Sequence, residues 1–397
     1  MTDIKLMLKR IDTFVVFRSI REDPVVSRFL AALGDLVRGD RDAALRDYCA
    51  FAAQLYEEDE CFSKYVLRAV LEDENIYMLR RGGGEETGWF IDECLASELY
   101  TLEELSRISC DELISRIGYD GFMPRYKIEA LDFSMIYANR VLDVDRFGYG
   151  IYAKYNVFLV NEGEIVPVKY PDGIRLSQLS GYEAERREVI DNTLALLRGR
   201  PANNVLLYGD CGTGKSSTVK AVANEFADRG LRLIELKKKQ LHEIPNIVRH
   251  ISRNPLKFIV FIDDLSFTED DDDFAALKAI LEGGVSSTAP NLAIYATSNR
   301  RHMVRETFSA REGDEIHRND SMQELLSLSE RFGLRVVFRK PDKKLYLSVV
   351  KDIAAQYGLD IPEEELFLRA EQYAIARGGR SPRAAKQLVE LLKGAEE

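Results

Sequence analysis

Eight residues, Gly209-Asp210-Cys211-Gly212-Thr213-Gly214-Lys215-Ser216, constrain the fold of this chain more than any other stretch. They follow an apolar run, Asn204 to Gly209 (NVLLYG), and open a helical pattern at Lys215. A glycine-rich turn from a strand into a helix gathers backbone N–H groups around one point, and the positive end of the helix aims at the same place. The spacing G-x-x-x-x-G-K-[ST] is that of a phosphate cradle. Gly209, Gly212 and Gly214 let the backbone wrap a β-phosphate, with Asp210, Cys211, Thr213 and Ser217 completing the loop. Lys215 supplies a point charge to the β- and γ-phosphates of a nucleotide such as ATP, and the Ser216 hydroxyl has the size and hardness of a Mg²⁺ ligand.

Such a loop needs a sheet to hold it, and the pattern beyond Arg175 provides one. Strand-like runs at Leu231–Leu236, Lys257–Asp263, Leu292–Asn299 and Leu334–Arg339 alternate with helix-like runs, which predicts an α/β fold, a parallel sheet covered by helices on both faces. After Pro341 three helical segments follow, Leu345–Tyr357, Glu364–Ala376 and Pro382–Leu392, broken by Gly358 and Gly378-Gly379. Upstream, Val25, Val26, Phe29, Leu30, Leu33 and Val37 mark a helix, as do Leu45, Tyr48, Phe51, Ala52 and Leu55. Asp23-Pro24 reads as a helix start, and Thr101/Glu104 and Ser109/Glu112 read as capping boxes. Tyr149 to Val168 reads as two β-rich runs joined by a turn at Asn161–Glu164. The expected organisation is a helical domain over 1–148, a β-hairpin connector over 149–173, an α/β core over 174–340 and a helical lid over 341–397.

A second site must hold the metal, and FIVFIDD (Phe258–Asp264) supplies it, an apolar strand ending in two carboxylates where strand tips meet phosphates. Asp263 is the expected Mg²⁺ partner, and Asp264 is placed to polarise the attacking water. Charge narrows the partners. With 55 Lys and Arg against 66 Asp and Glu, the net charge of −11 opposes nonspecific binding to nucleic acid or anionic membranes. No apolar stretch approaches the length of a bilayer span, and Met1–Arg10 has no signal-peptide core, so a cytoplasmic protein is expected. Five cysteines without a CxxC pair indicate neither a disulfide framework nor a zinc site, and His242, His250, His302 and His317 lack metal-ligand spacing.

The order of phosphate loop, acidic strand end, Asn299 closing ATSN, SERFGL before the last strand and an arginine in a C-terminal helix resembles the AAA+ ATPases over roughly Ile174–Glu397. Within that superfamily, LLYGDCGTGKSSTVKAVANEFADRGLRLIEL, FIDDLSF, IYATSNRRH and LSLSERFGL resemble a bacterial group whose cellular role is largely undefined. The resemblance implies strand order 5-1-4-3-2 and hydrolysis of ATP with Mg²⁺ in a homo-oligomeric ring or partial ring. It implies that Asn299 is the sensor orienting the water and that Arg331 is a finger reaching the neighbouring subunit's nucleotide. Arg383 becomes the second sensor, acting within its own chain, and Leu179–Tyr182 the adenine-side segment.

The chain departs from the pattern in two places. Asp264 stands where related ATPases more often carry Glu, and Leu236-Lys237-Lys238-Lys239-Gln240-Leu241 replaces the aromatic pore loop of threading unfoldases. Arg300, Arg301 and His302 follow the first sensor and are expected near a subunit interface. Three functions fit: an ATPase remodelling a protein client, a nucleic-acid-linked ATPase resembling replication initiators and loaders, and a nucleotide-gated adaptor with little hydrolysis. The acidic charge favours the first over the second.

Overall fold

The computed structural model describes residues 3–265, 277, 281, 289–299 and 330–395. The acidic run Glu269–Asp273 and the residues Arg300, Arg301, His302 and His317 lie outside them. The chain forms two compact units, Met1–Lys154 and Tyr155–Glu397. No helix among the described residues is long and apolar enough to cross a membrane.

The first unit is built from helices α1 (Ile4–Asp12), α2 (Pro24–Arg38), α3 (Arg41–Glu58), α4 (Phe62–Glu72), α5 (Ile76–Gly82), α6 (Trp89–Ser106), α7 (Cys110–Ile117), α8 (Phe133–Leu142) and the single turns α9 (Val144–Phe147) and α10 (Ile151–Lys154). Asp23 caps α2 by accepting from the N–H groups of Val25 and Val26, with Pro24 in the first turn. Ser109 caps α7 through the Glu112 N–H. Thr101 caps nothing. Helix α6 runs straight through it, because the apolar face of Leu99, Leu102 and Leu105 continues to Ser106, and its hydroxyl bonds back to the Ser97 carbonyl at 2.8 Å. The core is aromatic: Phe29 packs on Phe51 and Phe62 at ring-centroid distances of 4.8 and 4.3 Å, and Phe51 meets Tyr126 edge-on at 5.3 Å.

One buried charge organises the start of this unit. The Glu98 carboxylate is 4% exposed and accepts from the backbone N–H groups of Val15 (2.7 Å), Val16 (3.0 Å) and Phe17 (2.8 Å). Removing it strands three donors, so Glu98→Ala is expected to destabilise the unit by about 3 kcal/mol. The chain's single tryptophan, Trp89, lies on the same helix, so fluorescence-monitored urea unfolding reads this unit directly. An unshifted midpoint would show that the carboxylate does not hold the loop.

The second unit is a seven-stranded sheet of β1 (Val157–Asn161), β2 (Glu164–Pro167), β3 (Val205–Gly209), β4 (Leu231–Leu236), β5 (Lys257–Ile262), β6 (Leu292–Asn299) and β7 (Leu334–Phe338), ordered β2-β1-β4-β5-β6-β3-β7. The five strands from β3 onward are parallel and, counted from β3, run 5-1-4-3-2 as expected. The hairpin corrects the sequence reading. It is not a separate connector: β1 pairs in parallel with β4, Val157 opposite Leu233, and so extends the sheet by two strands. Its turn places Glu162 (φ 51°) and Gly163 (φ 83°) in the left-handed region, the two-residue geometry that matches strand twist. The expected β-run also starts too early. Gly148 and Gly150 take positive φ, the Gly150 N–H donates to the Glu72 carbonyl at 2.8 Å, and Ile151–Lys154 forms a helical turn before β1.

Helices α11 (Glu183–Leu197) and α12 (Lys215–Glu225) pack on each other and α13 (Ile244–Ile251) follows β4. The chain closes with α14 (Lys343–Gln356), α15 (Glu363–Ala376) and α16 (Pro382–Gly394), which share a core of Tyr346, Val350, Ala370, Leu388 and Val389.

Candidate functional site

The sheet register brings the site together. Gly209, the last residue of β3, lies opposite Asn299 at the end of β6 and opposite Phe338 at the end of β7, while Asp263 and Asp264 directly follow β5. Four strand tips therefore meet at one edge, where an open α/β sheet places its ligands. Gly209 has no alternative there: at φ 144°, a Cβ would run into the Phe338 carbonyl oxygen. From Gly209 the loop turns into α12, with the Thr213 hydroxyl donating to the Asp210 carbonyl at 2.9 Å.

Lys215 is 6% exposed, and its ammonium donates to the carbonyls of Gly209 (3.1 Å) and Asp210 (2.7 Å) and to Asn299 Oδ1 (3.1 Å). Burial pushes its pKa down, opposed by Cys211, Asp210, Asp264 and Asp263. Asn299 turns its other end to Asp264, Nδ2 donating to Oδ1 at 2.7 Å, so one amide bridges the cation of the loop and the second carboxylate. Ser216 Oγ donates to Asp263 Oδ1 at 2.6 Å. A hydroxyl and a carboxylate side by side are the hard donors that Mg²⁺ takes together with water and phosphate oxygens, so the residues fit that ion. Among the described residues no group of three or more His, Cys, Asp or Glu is placed to hold a metal ion.

Thr297 is the residue that the sequence pattern hides. Its hydroxyl donates to Asp263 Oδ1 at 2.6 Å and accepts from the Asp264 N–H at 2.9 Å. Asp264 sits at φ 54°, a conformation rare for a side-chain-bearing residue, and that second bond holds it there. Inside ATSN, Thr297 looks like any β-branched strand residue, and only pairing with the end of β5 brings the Asp263 carboxylate and the Asp264 N–H to its hydroxyl.

The lid reaches the same loop. The Arg383 N–H donates to the Gly212 carbonyl at 3.2 Å, and its guanidinium lies 3.7 Å from Cys211 Sγ. A cavity of about 780 Å³ joins these parts, within the range of small-ligand sites. Cys211 to Thr218, Asp263, Asp264, Thr297 and Asn299 form one end, and Leu179, Ser180, Arg186 and the α14 side chains Val349 and Ile353 line it further along. Arg331 is elsewhere. Half-buried, it precedes β7, whose first residue pairs with Val205, at the other end of β3 from the loop. Four residue steps at ~3.3 Å put it more than about 13 Å from this chain's own cradle.

Among curated proteins, the 26S proteasome regulatory subunit 6B homolog of Schizosaccharomyces pombe is 34% identical over 113 residues, 25% of this chain and 29% of that one. The 26S proteasome regulatory subunit 6B homolog of Encephalitozoon cuniculi is 25% identical over 234 residues, 55% of this chain and 57% of that one. The solved structure of a Thermotoga maritima RuvB variant aligns with a TM-score of 0.37 and 16% identity, over 54% of this chain and 63% of that one. The chain spans less than two thirds of the length of each. Residues 153–396, more than half of the chain and nearly all of the unit that carries the cradle, match the family model described as "Protein of unknown function (DUF815)", and the chain belongs to that family.

Proposed function

We propose that the protein binds ATP with Mg²⁺, hydrolyses it and works as a homo-oligomer that changes the conformation of a protein client. The observation that carries this is the continuous bond chain Lys215–Asn299–Asp264 beside the pair Ser216–Asp263, all at one end of one cavity. In this reading the loop N–H groups and Lys215 hold the β- and γ-phosphates. Ser216 and Asp263 hold Mg²⁺, which neutralises phosphate charge. Asp264 accepts a proton from the attacking water, and Asn299 fixes the carboxylate's direction. Arg383 approaches the nucleotide from the lid, and Arg331 serves the neighbouring subunit. Similarity to chains named as regulatory subunits of the 26S proteasome supports action within a multi-subunit assembly.

A second reading, a nucleotide-gated adaptor with little hydrolysis, draws on Asp264. Its side chain is one methylene shorter than Glu, and one carboxylate oxygen is already held by Asn299. Single-turnover hydrolysis in saturating Mg²⁺ and ATP separates the two. Wild type is expected to exceed Asp264→Asn by at least about tenfold; equal residual rates would reject catalysis by Asp264 and favour the adaptor.

A further inference from the structure

The phosphate end of the cavity holds nothing that reads a base. Backbone N–H groups, Lys215 and a metal serve any nucleoside triphosphate alike, so selectivity has to come from the far wall. That wall contains a charge in an unusual place. Arg186, Val189, Asn192, Thr193 and Leu196 form the buried stripe of α11, with the buried Tyr182 just before it, and Arg186 is its cationic member, 8% exposed, whereas the adjacent Arg187 is exposed to solvent. The stripe begins against the lid, since Gly181 lies against Val349 and Leu345 of α14. The segment of Asp172, Gly173 and Ile174, which lines the same cavity, is clamped in turn. Asn224 Nδ2 donates to the carbonyls of Asp172 (2.8 Å) and Ile174 (2.9 Å), and Arg175 donates to the Asn224 carbonyl at 2.9 Å.

A guanidinium carries five N–H donors in a fixed plane. Among the described residues Arg186 has one ion pair, with Glu183 Oε1 at 3.3 Å, and that carboxylate is itself 76% exposed. Burial pushes the Arg186 pKa down, with Glu183 and Glu185 opposing it. Nearly all of its side chain is out of water, it lines the cavity beside Leu179, Ser180, Val349 and Ile353, and its donor capacity is mostly unspent on carboxylates. A helix stripe made for packing alone takes an apolar residue at this position; a buried fork of donors calls for a planar acceptor.

Building on the nucleotide reading above, we propose that Arg186 is the base-reading residue, donating hydrogen bonds to ring-nitrogen acceptors of a purine seated between Leu179 and the α14 residues Val349 and Ile353. The apolar side chains cover the ring faces and Arg186 meets its edge. Guanine, which offers N7 and O6 side by side, satisfies the same fork, so both purine triphosphates bind, and CTP, whose single ring covers less of the apolar seat, binds more weakly.

The test is equilibrium binding of ATP, GTP, CTP and the 1-, 3- and 7-deaza analogues of ATP to the full chain with Mg²⁺, for wild type and Arg186→Met, which keeps an unbranched stem in the stripe. For wild type, at least one deaza analogue is expected to bind about tenfold or more weakly than ATP, the size of a hydrogen bond to a charged donor. In Arg186→Met that analogue and ATP are expected to bind alike. The proposal is overturned if all three analogues bind wild type as ATP does, a result that needs no variant to fold, or if Arg186→Met keeps the wild-type discrimination. Failure of every triphosphate to bind would instead reject the nucleotide site itself, so the two readings fail by different results.

Discussion

Arg331→Ala is expected to lower ATP turnover about a thousandfold while leaving nucleotide affinity unchanged. The size is that of a guanidinium removed from the charge developing on a transferring phosphoryl group, and the selectivity follows from placement. Arg331 precedes β7 while the cradle follows β3, its parallel neighbour, so the two lie at opposite ends of the same strand pair. An arginine there cannot serve its own chain's loop without taking the sheet apart, but it can serve a neighbour's. Turnover per subunit should therefore rise with protein concentration. Two inactive variants, Arg331→Ala and Lys215→Met, should also regain activity when mixed, because each supplies the part the other lacks. A per-subunit rate independent of concentration, together with no recovery on mixing, would remove the shared site.

Lys215→Met is expected to weaken ATP binding by at least about 100-fold, the loss of charge-assisted bonds to two phosphates. The same substitution should make the nucleotide-free protein more stable, by about 1 kcal/mol, because it deletes a buried charge and lets the stem pack. The direction follows from proton linkage. The folded-state pKa of Lys215 lies below its unfolded value, so the unfolded chain binds the proton more tightly and protonation works against folding. The penalty is fully present below the depressed folded pKa and is relieved as pH rises through it toward the ordinary lysine value of 10.5. Thermal unfolding of wild type and Lys215→Met without nucleotide, from pH 7 to 10, should show a gap that narrows with pH. A wild type more stable than the variant at pH 7 would show that the ammonium is fully compensated by its carbonyl partners.

Local features of this site were legible because local sequence makes them. A strand, a glycine turn and a helix in succession place Gly209 to Ser216 whatever else the chain does, and an apolar strand ending in Asp263-Asp264 needs only one further step. The parallel core and its strand order follow from alternation and from the AAA+ resemblance. What sequence hid depends on pairing between distant segments. Thr297 becomes the support of the Asp263 carboxylate and of the Asp264 main chain only because β6 lies beside β5. The hairpin joins the sheet because Val157 to Leu159 meet Leu233 to Glu235, which no local pattern announces. Glu98 reads as an ordinary helix carboxylate until the chain near Val15 folds over it. Thr101 shows the reverse error, a capping motif overruled by a longer apolar face. Arg186 is hidden for a related reason: in EAERRE the letters suggest a solvated surface, and only the buried stripe of α11 shows which arginine turns inward.

The bond from the Arg383 N–H to the Gly212 carbonyl is made by main-chain atoms on both sides. Any substitution other than proline leaves both atoms in place, so exchanging Arg383 changes the side chain beside Cys211 without removing the bond between α16 and the loop. The fastening makes this corner a pivot rather than a mouth. If the lid swings, the far rim, where Gln356 and Tyr357 at the end of α14 border the cavity, travels furthest and becomes the doorway for exchange. A base would then enter and leave past that rim while the phosphates stay at the fulcrum, and the order of release would be base first, phosphates last.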